Sequence, residues 1–353
     1  MFFGGYLSIG RFAANAWVDF RTSAASTPRA AAPSALNITA LLSAGAAWSE
    51  AGELLKVGMV TVSIEPNPMA GSNKEFKQTL DLATGTMIVE AGDVTVNVYI
   101  SAADDDLLVF DVRHTLGDAV KVTAAVTNIR PAATSATPSF DCQAYTTSAD
   151  VVAAGTGTGG GVGAATTWYH HNPDASAAAA SNQSYFANVI KYQNLGTEAA
   201  DSIPDGLAGR TFGGALAVKT VDPANTVVVA ALGVEQIPTA ELASFTSRYA
   251  ARASAAAAAG PASTIKPGHD AWWTAFWGRS HVEIKSANSS DTSSSPFLIT
   301  RQFIVQRYIV ALQARSPFPI KFNGMLFTAN KPVRKLLFFL SFFWCLCPCN
   351  RFL

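Results

Sequence analysis

"VTVNVYI", residues 94–100, alternates Val94, Val96, Val98 and Ile100 with Thr95, Asn97 and Tyr99. Successive side chains of an extended chain point to opposite faces, so this period of two describes a strand with one apolar face. The pattern continues in both directions. Upstream, "GMVTVSIEP" (58–66) sets Val60, Val62 and Ile64 against Thr61, Ser63 and Glu65. Downstream, "LLVFDVRH" (107–114) sets Leu108, Phe110 and Val112 against Val109, Asp111 and Arg113. Turn pieces such as "PNPMAG" and "ATGT" separate these runs. "AVKVTAAVT", "YFANVIKYQ", "GALAVK" and "NTVVVAALG" predict further strands. Many short strands without regular helices between them predict an antiparallel sandwich or barrel.

Composition narrows the function. Lys+Arg and Asp+Glu stand at 25 each, and charged residues make up only 14%. No basic excess exists to neutralise phosphates, which excludes nucleic acid as a partner. Hydrophobic content of 49% excludes wholesale disorder. Of four cysteines, Cys345, Cys347 and Cys349 crowd into the last nine residues and Cys142 stands alone, so neither a disulfide framework nor a spaced zinc set follows. The N-terminus "MFFGGYLSIGRF" lacks the basic start, long apolar run and small-residue cleavage site of a signal peptide. Sequons at Asn37, Asn182 and Asn288 hint at secretion but arise often by chance.

Three stretches read as loops: "TSAASTPRAAAPSA" (22–35), "RPAATSATPS" (130–139) and "GTGTGGGVG" (155–163). The last lacks the Gly-Lys-Ser/Thr ending and the following helix of a phosphate loop. From Thr239 the period changes. "TAELASFTSRYAARASAAAAAGP" (239–261) sets Leu242, Phe245 and Tyr249 on one helical face and stops at Gly260-Pro261. "SHVEIKS" (280–286) alternates again. "ITRQFIVQRYIVALQARSP" (299–317) then predicts a helix whose broad apolar face carries Ile304, Tyr308 and Leu312, with Val305 and Ile309 beside them.

No active site announces itself. His170 and His171 are adjacent and point to opposite faces of a strand, and His114, His269 and His281 have no ligand-like spacing, so no metal site is expected. Asp104-Asp105-Asp106 reads as a solvated turn. No Gly-x-Ser-x-Gly elbow supports a Ser–His–Asp triad. "KPGHDAWWTAFWGRS" (266–280) is the densest aromatic stretch. On a helix, Trp273, Phe276 and Trp277 share a face while Trp272 is displaced, which suits a buried stripe better than a flat sugar platform.

Several blocks, taken in order, resemble one family. They are "GGYLSIGRFAANAWVD", "AWSEAGELLKVGMVTVSIEPNP", "WYHHNPDAS", "LAGRTFGGAL", "HDAWWTAFWGRSHVEI" and "RQFIVQRYIVALQARSPFPIKFNGMLFT". The chain is similar to glycoside-hydrolase-like proteins in which a β-supersandwich precedes an (α/α)6 barrel, in particular an uncharacterised DUF5703-type group related to family 95 α-L-fucosidases and family 65 phosphorylases. "SIGRF" departs from that family's usual Gly-Asn-Gly at the first strand. The resemblance implies a mainly β fold: a supersandwich over 1–238, a helical and aromatic connector over 239–300, and the first barrel helix with its loop over 301–330. It implies that Trp272, Trp273, Phe276 and Trp277 pack between domains. It also implies action on glycosidic bonds of a carbohydrate, without a cofactor, and possible secretion.

Cleaving a glycoside takes two correctly separated polar groups, commonly carboxyls, across the bond. In the resembling family these groups come from barrel loops beyond the first helix. Here "ANKPVRKLLFFLSFFWCLCPCNRFL" follows instead, and residues 331–353 read as an aberrant end, such as a retained intron or shifted frame. Its apolar core, Leu336 to Cys349, is fourteen residues, short of a membrane span of roughly twenty. The expectation is therefore a chain without catalytic residues, inactive alone. The rival is a non-catalytic carbohydrate-binding or scaffolding module whose sandwich face, or the exposed part of "FPIKFNG" (318–324), touches sugar; Lys321 and Asn323 are the substrate-side candidates.

Overall fold

A computed structural model describes residues 5–9, 12–19, 34–49, 54–70, 74–104, 106–117, 120–136, 145–155, 164–174, 207–260, 265–285 and 293–313. The fold is mainly β: two antiparallel sheets in a sandwich-like arrangement, followed by helices. One sheet has five strands in the order β1 (Gly5–Ile9), β2 (Phe12–Asp19), β3 (Leu36–Trp48), β4 (Leu54–Glu65) and β9 (Lys121–Thr127). The other has eight, in the order β12 (Val151–Ala153), β13 (Thr166–His171), β14 (Arg210–Asp222), β15 (Asn225–Gln236), β8 (Leu107–His114), β7 (Val94–Ile100), β6 (Thr86–Ala91) and β5 (Phe76–Asp81). A separate ladder joins β10 (Thr134–Ala136) to β11 (Tyr145–Thr147).

The alternation in the sequence becomes the core between the sheets. Val60, Val62 and Ile64 of β4 lie in one buried cluster with Val96 and Val98 of β7, Phe110 of β8 and Val228 of β15. Register fixes this: Val98 and Val228 both sit opposite Phe110, so three strands present one continuous apolar face. β15, and β8 at Leu107 and Val109, are apolar on their other face as well, because that face is also covered. Helix α1 (Leu242–Ala259) lays Phe245, Tyr249, Ala253 and Ala257 on Val109, Val227, Val229, Ala215, Ala217 and Ala231. Strands covered on both sides read as unbroken apolar runs, as "TVVVAALGV" does. At Gly233 the fit is tight enough to exclude any side chain, since a Cβ there would stand 2.2 Å from Tyr249 Cζ.

Helices α2 (Lys266–Gly278) and α3 (Ser295–Gln313) complete the described chain. Among the described residues no helix is long and apolar enough to cross a membrane.

Several local expectations change. Asp106, expected in a solvated turn, is 5% exposed, and both Asp104 and Asp106 pair with Arg252 of α1. The solvated-turn expectation ignored a helix that arrives from 146 residues downstream. "SHVEIKS" forms no ladder over 281–285, because its neighbour is a helix: the backbone N–H and C=O of Ile284 both bond the Thr300 hydroxyl, at 2.9 and 3.2 Å. The loop at 130–139 contains β10. On α3, Tyr308 and Leu312 are buried, whereas Ile304, Val305 and Ile309 are exposed, since only the last turns of the helix reach the sandwich. "YFANVIKYQ", residues 22–33 and 156–163, Asn182, Asn288, all four cysteines and everything beyond Gln313, Lys321 and Asn323 included, lie outside the described residues.

Candidate functional site

Two clusters concentrate the polar and aromatic side chains. The first lies where α2 meets the ends of the eight-stranded sheet. Its sequence starts with Lys266-Pro267, and proline in the first helical turn costs no hydrogen bond there. His269 and Trp273, one turn apart, are both 0% exposed. His269 links two strand turns at once. Its Nδ1 accepts the Ala102 N–H at 3.0 Å, in the turn after β7, and its Nε2 donates to the Thr84 carbonyl at 2.5 Å, in the turn before β6. Both nitrogens are used by the neutral ring. Burial, with Lys266 nearby, holds its pKa down at about 4. The ring rests against Tyr99, at 4.6 Å between centroids; burial raises the Tyr99 hydroxyl well above its ordinary pKa, and that hydroxyl has no hydrogen-bond partner among the described residues.

Trp273 stands over Gly85, whose φ of +57° suits a glycine and whose missing side chain makes room for the indole. A Cβ there would come within 2.4 Å of Trp273 Cζ2. On its other side Trp273 stacks with Tyr308 of α3 at 5.4 Å. Trp272, Phe276 and Trp277 are half-buried. Trp272 and Phe276 lie nearly parallel, 4° apart with centroids at 5.4 Å. Trp277 donates its indole N–H to the Leu82 carbonyl at 3.1 Å. Arg307 covers both Phe276 and Trp277, at 4.7 and 5.2 Å, and donates to the Phe276 carbonyl at 2.6 Å. The structure thus brings all four sequence-selected aromatics together, with Tyr308 and Arg307 of α3 added. Trp272 is not set apart as the helical wheel suggested, because stacking on Phe276 draws it into the group.

The second cluster sits between the sheets and was not expected. Arg130, 1% exposed, donates Nε to Asp150 Oδ1 at 2.8 Å and Nη2 to the Lys56 carbonyl at 2.8 Å, which ties β4 to the start of β12. Asp150 Oδ1 also faces His170 Nδ1 at 3.0 Å. His170 Nε2 meets Asn172 Oδ1 at 3.1 Å, while Asn172 Nδ2 donates to the carbonyls of Trp48 and Leu207. Those two carbonyls fix the Asn172 amide orientation, so His170 Nε2 carries a hydrogen. The Phe212 ring underlies the group, stacked on His170 at 4.8 Å and beneath Arg130 at 5.9 Å. Lys56 is also fully buried and donates to Ser43 Oγ at 3.1 Å.

Chemically this second cluster is a closed network. Its carboxylate accepts from Arg130 Nε and faces His170 Nδ1, and buried groups engaged in this way hold a core in one arrangement rather than attack a substrate. His171, on the opposite face of β13, bonds Thr211 and Thr239 instead, at 2.8 and 3.0 Å. Asp174 receives the Thr239 N–H on both carboxylate oxygens, so the exit of β13 grips the point where strands give way to helices. Among the described residues no group of three His, Cys, Asp or Glu side chains could hold a metal ion.

The family model DUF5703_N, described as a domain of unknown function (DUF5703), matches residues 35–231. The chain belongs to this family. No curated protein matches it. The DUF5703_N span runs from the start of β3 into β15, and so contains the whole network of Lys56, Arg130, Asp150, His170 and Asn172. The α2 aromatics lie C-terminal to it. Membership of DUF5703_N carries no activity with it, and the glycoside-hydrolase relationship implied by the resemblance goes further than the match.

Proposed function

We propose that this DUF5703_N sandwich is the non-catalytic N-terminal portion of a glycoside-hydrolase-like protein that works on glycosidic bonds of a carbohydrate. The supporting observation is the state of Asp150. It is the carboxylate of the buried network, it is bound by both Arg130 and His170, and no second carboxyl faces it among the described residues. Glycoside cleavage asks for a pair of carboxyls separated by about 5 to 10 Å across an open site. The order of elements, a two-sheet body handing over to helices through an aromatic seam, supports the same reading. The test is turnover by the purified chain on aryl glycosides and on plant and algal polysaccharides, with none expected. Activity that survives purification and disappears in Asp150→Asn, with the near-ultraviolet circular dichroism unchanged, overturns the proposal.

A specific feature favours a second reading, a carbohydrate-binding module. Trp272 keeps a half-exposed ring at the edge of the seam, parallel to Phe276, which is itself covered by Arg307 and Arg279. Melting with and without a glycan panel separates the two readings. A glycan-dependent rise in Tm that is lost in Trp272→Ala supports binding at that pair.

A further inference from the structure

Arg113 pairs with Asp111, Arg130 with Asp150, Arg248 with Glu235, and Arg252 with both Asp104 and Asp106. Arg210 is different. Half-buried at the start of β14, its side chain has no hydrogen bond or ion pair among the described residues. Of its three nitrogens only Nε is buried without a partner; the Nη pair, equally unbonded, remains open to solvent. Burial pulls its pKa below the ordinary arginine value, and no neighbouring charge offsets or adds to that effect.

The backbone holds this residue firmly. Gly209 before it has a φ of +66°, and a Cβ there would stand 2.5 Å from the Ile237 carbonyl oxygen. The Arg210 N–H donates to the Leu207 carbonyl at 3.2 Å, and its carbonyl accepts the Asn172 N–H at 2.9 Å. Phe212, two residues on and so on the same face of β14, is buried between the sheets. Arg210 therefore stands on the inner face at the end of the sandwich. Opposite it in the ladder is the exposed Gln236, whose Nε2 donates to the Ala208 carbonyl at 3.1 Å, which leaves Oε1 as an acceptor. The carboxylates of neighbouring segments are engaged elsewhere. Asp150 meets Arg130 and His170, Glu235 meets Arg248 and Tyr249 of α1, and Asp174 meets the Thr239 N–H.

We propose that Arg210 and Gln236 form a site for an acidic sugar, the guanidinium taking a uronate carboxylate and the amide a neighbouring hydroxyl. This rests on the carbohydrate reading above and names a substrate class within it. A half-buried guanidinium without a counter-ion costs the folded chain stability, which a bound carboxylate offsets. The planar Nη pair can hold a carboxylate by two hydrogen bonds at once. A single positive charge with no second cation acting on it suits a monoanion better than a phosphate dianion.

Thermal melting of the full chain at constant ionic strength supplies the test, on the wild type, Arg210→Met and Gln236→Ala. The probes are glucuronate and a galacturonate trimer, with glucose, acetate and inorganic phosphate as controls. Without any probe, Arg210→Met is expected to raise Tm by about 2–4 °C, because it removes an uncompensated charge. The uronates are expected to raise the wild-type Tm more than acetate or phosphate does. That rise should shrink in Gln236→Ala and vanish in Arg210→Met. A lower Tm of Arg210→Met without probe overturns the proposal, since the guanidinium then has a partner within the chain. An equal rise with acetate or phosphate also overturns it, in favour of free anions. A rise with glucose that survives Arg210→Met overturns Arg210 as the site and leaves the carbohydrate reading standing. Absence of a rise with any sugar removes the site, while the turnover test above decides the wider reading separately.

Discussion

Helices α1 and α3 are nearly the same length, at 18 and 19 residues, yet they are seated in opposite ways. α1 is rich in alanine and buries a residue on every turn from Phe245 to Ala257. α3 is far richer in large aliphatics and leaves most of them exposed. The contrast separates apolar content from complementarity. α1 lies on a sheet whose facing residues are small, Ala215, Ala217, Ala231 and Gly233, so helix and sheet approach closely along its whole length. α3 is held through a few anchors toward its C-terminal end, chiefly Tyr308 on Trp273 and Arg307 on Phe276 and Trp277, all on α2. Burial follows from having a matching surface opposite.

The largest test removes one anchor from each helix. Trp273→Ala deletes the indole that links Gly85 to Tyr308, and Phe245→Ala deletes the ring at the first turn of the α1 seat. Each is expected to cost about 3–5 kcal/mol in denaturant unfolding, in line with loss of a buried aromatic. They should differ in kind. Phe245→Ala weakens the body as a whole, whereas Trp273→Ala frees α3 and speeds tryptic cleavage at Arg301 and Arg307 under native conditions. Equal cleavage in the two variants would show that α3 is held by something other than the Trp273 seam.

The same contrast describes what could be read from the sequence. Strands β4, β7 and β8 were legible because each buries alternate residues, and a period of two survives in the letters. Phe245 and Tyr249 were legible for the analogous reason on a helix. The Arg130–Asp150–His170–Asn172 network was not. Its members come from separate loops and strands and meet only through the pairing of β12 with β13 and the packing of β4 against them, so no local spacing records them. His269 was dismissed for lacking metal-ligand spacing. Its partners are two backbone groups, Ala102 N–H and Thr84 C=O, and backbone groups leave no trace in residue identity. That Tyr308 and Leu312 are buried while Ile304 and Val305 of the same face are exposed needed the structure for another reason. A helical wheel gives the direction of an apolar face, and only the structure gives how far along the helix a partner extends.

His269 sharpens the comparison by pH. Its folded pKa, about 4, lies below the ordinary histidine value of 6.5, so the folded state prefers the neutral ring. The stability it contributes is present in full above about pH 6.5 and is lost as pH falls toward 4. Over that window the loss approaches something of the order of 3 kcal/mol. The effect belongs to the α2 seam and not to the α1 seat. Acidification from pH 7 to pH 4.5 should therefore raise amide exchange in α2 and α3 before it does so in α1, and His269→Gln should flatten that dependence. Exchange that rises first in α1 would place the acid-sensitive contact elsewhere.

The smallest effect expected asks whether charge contributes to the α1 seat. Glu235 on β15 receives Arg248 Nη2 at 2.5 Å and the Tyr249 hydroxyl at 2.9 Å. The Arg248 side chain is 49% exposed and that of Glu235 28%, so water competes for both. A pair in that setting is worth less than about 1 kcal/mol and is screened by salt. Arg248→Gln should thus shift the urea midpoint only slightly at low salt, and less still in 1 M NaCl, where the Debye length falls to about 3 Å. Phe245→Ala should keep its full cost in both solutions, because burial of a ring does not depend on ionic strength in this way. If Arg248→Gln costs as much as Phe245→Ala and the cost fades with salt, then α1 is held down by its ion pairs, and the small-residue match between helix and sheet is not what distinguishes it from α3.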